Sequence, residues 1–188
     1  MDTRPCASHG RTRGPIVHRD LAATRDRAAG GLAQGAAVAS IWPGERARKK
    51  KWICRRDIER VGQQLGGNMR FAFRHFPLTG IHPHALAAAA AAEAAALQGR
   101  FWDMHELLFH RQKALEDADL LRYAAQLGLD VAAFDRDRAS SAVADRIRRD
   151  VDSGLASDQV LGTPTLFIDG VVHRGGYDPP ALLAALAP

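Results

Sequence analysis

Gly162-Thr-Pro-Thr-Leu-Phe-Ile-Asp-Gly170 is the stretch on which the fold turns. Thr165 to Ile168 is a short apolar run suited to a strand, Asp169-Gly170 is a hairpin-turn dipeptide, and Val171-Val-His173 is the returning strand. A proline directly ahead of a strand must stand where the ladder needs no N–H, and Pro164 fits that place. It also pushes Thr163 toward an extended conformation. A cis Thr163–Pro164 bond would present the Thr163 backbone to an extended partner chain; an ordinary trans proline at a strand start is the alternative.

Beyond the hairpin, Asp178-Pro-Pro opens a last helix through Leu186, with aspartate at the cap and proline in the first turn. Ahead of it, Val131 to Val151 gives one or two helices, with Asp130 as N-cap. Asp119 to Gln126 is a helix capped by Gly128, and Phe101 to Lys113 is another, with Phe101, Met104, His105, Leu108 and Phe109 on one side. A long alanine-rich helix runs from about Pro83 to Leu97. Met69 to Phe76 alternates as a half-buried strand and is ended by Pro77. Arg55 to Leu65 has helical spacing at Ile58, Val61 and Leu65, and Ala36 to Trp42 could make one weak strand. The order strand, helical block, hairpin, helix is that of an α/β sheet carrying a helical insertion.

The net charge of +5 is unevenly divided: residues through Arg60 carry +8 and the rest carry −3. A basic arm of this kind suits either a nucleic-acid contact or a solvated tail; no aromatic or groove-reading pattern accompanies it, which favours the tail. Residues 1–35, rich in Arg, Gly, Ala, Ser and Thr, are expected to be disordered, and residues 36–188 to form the domain, with the insertion at about 82–155. No apolar stretch is long enough to span a bilayer, since Glu93 interrupts the weakly hydrophobic alanine run. The first twenty residues have no hydrophobic centre, which makes the cytoplasm the expected compartment. Cys6 and Cys54, the two cysteines, are too far apart in sequence for a zinc ribbon and too few for a disulfide framework. His75, His82, His84, His105 and His110 fall in one region, but their spacings lack the i, i+4 geometry of a helical metal site, so packing roles are expected and no cofactor is called for.

Several of these segments together resemble the DsbA-like family. They are Arg70-Phe-Ala-Phe-Arg-His-Phe-Pro-Leu78, His82-Pro-His-Ala85, Gly99-Arg-Phe-Trp-Asp-Met-His105, Leu121-Arg-Tyr-Ala-Ala-Gln-Leu-Gly-Leu-Asp130 and Gly175-Gly-Tyr-Asp178. The stretch Gly162 to Gly170 is similar to the cis-proline segment of thioredoxin-fold proteins. The resemblance runs from about Ile58 to Pro188. It implies a thioredoxin-like fold with an inserted α-helical subdomain, thiol–disulfide oxidoreductase activity on cysteine-containing protein or peptide substrates, and Thr163 and Pro164 as substrate-contact residues.

The chemistry so implied needs a thiolate at a helix N-terminus, where dipole and free N–H groups lower the thiol pKa, and a second cysteine three residues on to resolve the mixed disulfide. Lys51-Trp-Ile-Cys54 stands in that place, so Cys54 aligns with the second cysteine and Lys51 with the first. A dithiol cycle is therefore not available there. Lys49 to Lys51, Arg55 and Arg56 surround Cys54 with positive charge that favours a thiolate; a lone cysteine without a special role is the alternative. A non-catalytic module that binds peptides on the same fold is the rival reading of the whole chain. The text before Ile58 has the Arg/Gly/Ala/Pro bias of a shifted reading frame or a mis-called start, and the strand that normally precedes the motif is replaced by basic, Gly-rich text. Loss of that strand would open a sheet edge and leave the fold prone to aggregation.

Overall fold

A computed structural model describes residues 35–40, 55–66 and 69–187. Among them are β1 (Gly35–Ser40), α1 (Arg55–Gln64), β2 (Arg70–His75), α2 (Ala85–Leu97), α3 (Phe101–His110), α4 (Asp117–Gln126), α5 (Val131–Arg138), α6 (Ser141–Ala156), β3 (Thr165–Ile168), β4 (Val171–His173) and α7 (Pro179–Leu186). The four strands form one sheet in the order β2-β1-β3-β4. The segment 35–40 thus takes an inner place in the sheet, which corrects the expectation that a missing first strand leaves an edge open. The disorder expected for residues 1–35 lies outside the described residues except at Gly35, which opens β1. So do the basic block and Lys51 to Cys54.

The chain divides into two compact units, one built mainly from 47–73 and 165–188 and the other from 74–164. In the first, β3 and β4 pair antiparallel with Leu166 opposite His173, Phe167 opposite Val172 and Ile168 opposite Val171. Asp169 and Gly170 both take positive φ, at 49° and 82°. That is the backbone a two-residue hairpin demands, and it is why this dipeptide could be read from sequence. The last helix, α7, starts at Asp178, whose side chain accepts from the Ala181 N–H. It packs against α1, which buries Ile58 and Val61.

The second unit is helical from α2 to α6. Its centre is α2, which touches α3, α4, α5 and α6. Seven buried alanines make that possible, because methyl-sized side chains let several helices approach one axis closely. One aromatic-rich face of α3 is buried, at Phe101, Met104, His105, Leu108 and Phe109. The helix stops at His110, three residues short of the Lys113 expected from its pattern, and Arg111 to Lys113 form a turn. A capping box between Glu116 and Asp119 then starts α4 at Asp117, two residues earlier than expected. Asp130 caps α5 by accepting from Ala133 N–H, and Ser140 caps α6 by accepting from Val143 N–H, so Val131 onward is two helices. Val143 and Ile147 of α6 pack on Ala89 of α2. No helix among the described residues is long and apolar enough to cross a membrane.

Candidate functional site

Thr163 and Pro164 stand immediately ahead of β3, half-buried, with Thr165 and Leu166 buried behind them. The Thr163–Pro164 peptide bond is cis. The loop that delivers them leaves the end of α6 under local hydrogen-bond control. Ser157 Oγ donates to the Gly154 carbonyl at 2.6 Å and accepts from the Gln159 N–H at 3.2 Å. Asp158 N–H donates to the Leu155 carbonyl and Leu161 N–H to the Gln159 carbonyl. Asp158 takes φ 53°, a left-handed turn that aspartate tolerates better than most side chains. Leu161, two residues before Thr163, is 92% exposed. The third residue singled out from sequence, Cys54, lies outside the described residues.

Sequence reasoning missed a second constellation, at the end of β2. His75 and Glu93 are both buried, and His75 Nε2 lies 2.7 Å from Glu93 Oε1. Asp150, on α6, has a fully buried side chain. It accepts from the His75 N–H at 2.9 Å and from Arg146 at 3.0 Å, with Arg74 3.6 Å away. Two carboxylates in a helical core need such partners, since an isolated buried charge is strongly unfavourable. The signal that could have found this cluster is Glu93, the one charge inside an otherwise apolar run.

The other histidines go to separate places. His84 lies 3.3 Å from Glu116 at the surface. His105 is buried against Trp102, Phe101 and Phe109, the last with ring centroids 4.6 Å apart. Removal from water pulls its pKa down to about 3. No three metal-ligating side chains converge among the described residues.

The family model described as DSBA-like thioredoxin domain matches residues 29–187. The match reaches back well before Ile58, where the resembling motifs begin. Among curated proteins, the chain is 50% identical over 119 residues to the Na(+)/H(+) antiporter NhaA 3 of Salinispora tropica, a match covering 63% of the chain and 18% of the antiporter. It is 44% identical over 131 residues to the Na(+)/H(+) antiporter NhaA 1 of Mycolicibacterium vanbaalenii, covering 69% and 21%. The chain thus spans about a fifth of the length of these relatives. Among solved structures it is similar to a thioredoxin-like oxidoreductase from Silicibacter pomeroyi, with TM-score 0.65, 20% identity and coverage of 81% and 83% of the two chains. It is also similar to the thiol-disulfide exchange protein alpha-DsbA2 from Wolbachia pipientis, with TM-score 0.58, 22% identity and coverage of 82% and 80%. These structural likenesses establish the fold: thioredoxin-like, with a helical insertion.

Proposed function

The chain belongs to the DSBA-like thioredoxin domain family, and on that premise we propose that it engages cysteine-containing proteins or peptides at Thr163 and Pro164 and exchanges disulfides through one thiol, Cys54. The observation that carries the reading is the segment Gly162 to Gly170, set within the family match, with Thr163 and Pro164 directly ahead of β3.

A single thiol fixes the reaction sequence. The Cys54 thiolate attacks one sulfur of a substrate disulfide; a new Cys54–substrate disulfide forms, and the other sulfur leaves as a thiolate that takes up a proton. A small external thiol of the glutathione class then attacks the substrate sulfur of that mixed disulfide and expels Cys54 as thiolate. One disulfide is consumed and one is made, so Cys54 ends as it began. The basic residues 49–51, 55 and 56 favour its ionised form.

The test is glutathione-coupled reduction of insulin. Slow turnover that Cys54→Ser abolishes is the expected result. Turnover unaffected by Cys54→Ser would remove the thiol from the proposal. The presence of Lys51 where a first cysteine would stand favours a second reading, a binding module without turnover. Under it, the full chain retains an extended cysteine-containing peptide, retention survives Cys54→Ser, and Pro164→Ala weakens it.

A further inference from the structure

We infer that Gly154 and Phe76 are positioning residues for the peptide contact, setting the place of the loop that carries Thr163 and Pro164. The inference rests on the proposed contact at those two residues. It starts from the inner face of α6. Val143 and Ile147 on that face are apolar and pack on α2, but one and two turns further on the face changes to Asp150 and then Gly154, four residues apart and both buried. Those two positions receive the chain leaving β2. Asp150 takes the His75 backbone N–H, and Gly154 takes the Phe76 ring.

The fit at Gly154 is close. A Cβ there would lie 2.8 Å from Phe76 Cδ2 and Cε2 and 3.6 Å from Val160 Cγ2. The first distance is below any contact that real methyl groups make, so the ring rests on bare helix backbone. Val160 belongs to the loop to Pro164, and that same loop is pinned from the other side by the Ser157 hydroxyl on the Gly154 carbonyl. Gly154 therefore holds the Phe76 ring and a loop methyl on its Cα side, and the loop's first hydroxyl on its carbonyl. The ring and the methyl of Val160, four residues before Pro164, share the small patch of helix surface at Gly154, so a side chain added there disturbs both.

Glycine inside a helix is otherwise a disadvantage: alanine would make α6 itself more stable. Gly154→Ala therefore separates two explanations. A merely structural glycine, replaced by alanine, leaves the loop alone or strengthens the helix. A positioning glycine, replaced by alanine, forces the Phe76 ring off its seat and displaces the loop.

The experiment uses the full chain with Gly154→Ala, Gly154→Ala/Phe76→Leu and Pro164→Ala, and a fluorescent extended peptide containing one cysteine. Affinity is read by anisotropy and the loop by the amide resonances of Leu161, Gly162 and Thr163. Gly154→Ala is expected to shift those amides and weaken the peptide about tenfold, as overpacking at one buried site does. Adding Phe76→Leu, which removes ring atoms from the clash, is expected to return both readouts to within about twofold of the parent. Unmoved amides in Gly154→Ala, or no rescue by Phe76→Leu, would overturn the inference. Peptide binding that falls in Pro164→Ala but not in Gly154→Ala overturns the inference and leaves the proposed contact standing. A parent chain that binds no peptide overturns the proposed contact, and the positioning role with it.

Discussion

At the end of β2, His75 meets Glu93 through its ring and Asp150 through its backbone N–H; in the middle of α3, His105 is enclosed by Phe101, Trp102 and Phe109. Both histidines are buried to a similar degree, 5% and 8% exposed. They are also close in space, because Phe101 touches both, its ring centroid 6.0 Å from His75 and 5.8 Å from His105. Yet one has a carboxylate against its ring and another on its backbone N–H, and the other is packed among aromatic rings. Burial alone therefore does not tell what a histidine is for. Its neighbours decide whether the site stabilises charge or excludes it. The first region ties three elements together, β2, α2 and α6, through polar atoms that must be matched; the second fills space along one helix face.

Breaking the match should have the largest effect. Glu93→Ala removes the carboxylate 2.7 Å from the buried His75 ring, and is expected to cost about 3–5 kcal/mol of stability in urea unfolding. The double variant His75→Leu/Glu93→Leu removes both polar groups and is expected to be more stable than Glu93→Ala, since neither member of the pair is left facing an apolar partner. A double variant no better than the single one would show that the pair's value lies in shape and not in polarity.

The second region predicts a dependence on acid. The His105 pKa is lowered from 6.5 to about 3 by burial. The unfolded chain therefore binds a proton at this position at pH values where the folded chain does not. Stability from this group is complete above pH 6.5 and is lost as pH falls from there toward 3. Between pH 7 and pH 5 the loss is about 2 kcal/mol. Urea titrations of the parent and of His105→Phe at both pH values isolate it: the variant's stability is expected to change less by that amount. Equal slopes in the two proteins would mean that the ring is already charged, or open to water, in the folded state.

The contrast between the two regions also explains how far the sequence could be read. Periodicity alone puts His105 on the buried face of α3, because its neighbours Phe101 and Phe109 are four residues away on either side and helix geometry brings them together. Asp169-Gly170 and the Asp178 cap were legible for the same reason: their partners lie within three residues. His75, Glu93 and Asp150 were not, being separated by 18 and 57 residues along the chain and joined only once β2, α2 and α6 have packed. Glu93 looked like an interruption in an alanine run when it is the partner that lets the run bury a histidine. The candidate site divides in the same way. Thr163-Pro164 declares itself through a proline ahead of a strand, but the seat formed by Phe76 and Gly154 joins residues 78 positions apart, and no local pattern announces it. Where α3 stops was also hidden, since the capping box at Glu116 and Asp119 fixes the next start and Arg111 to Lys113 carry no stop signal of their own.

The smallest effect separates the two jobs of Asp150. Its Oδ2 accepts from the buried His75 N–H, while its Oδ1 accepts from Arg146, whose side chain still reaches solvent. Asp150→Ala removes both and leaves a main-chain donor in the core without its acceptor, a loss of about 1–3 kcal/mol. Asp150→Asn keeps an oxygen for the His75 N–H and gives up the charge and the acceptor that faces Arg146. Because Arg146 and Arg74 can turn to water, the cost should fall to about 1 kcal/mol or less. A double-mutant cycle with Arg146→Met reads the ionic part alone, expected at about 0.5–1 kcal/mol. If Asp150→Asn proves as damaging as Asp150→Ala, the charge and not the hydrogen bond to β2 is what holds α6 in place, and the polar region would resemble an ion cluster more than a clamp on the strand.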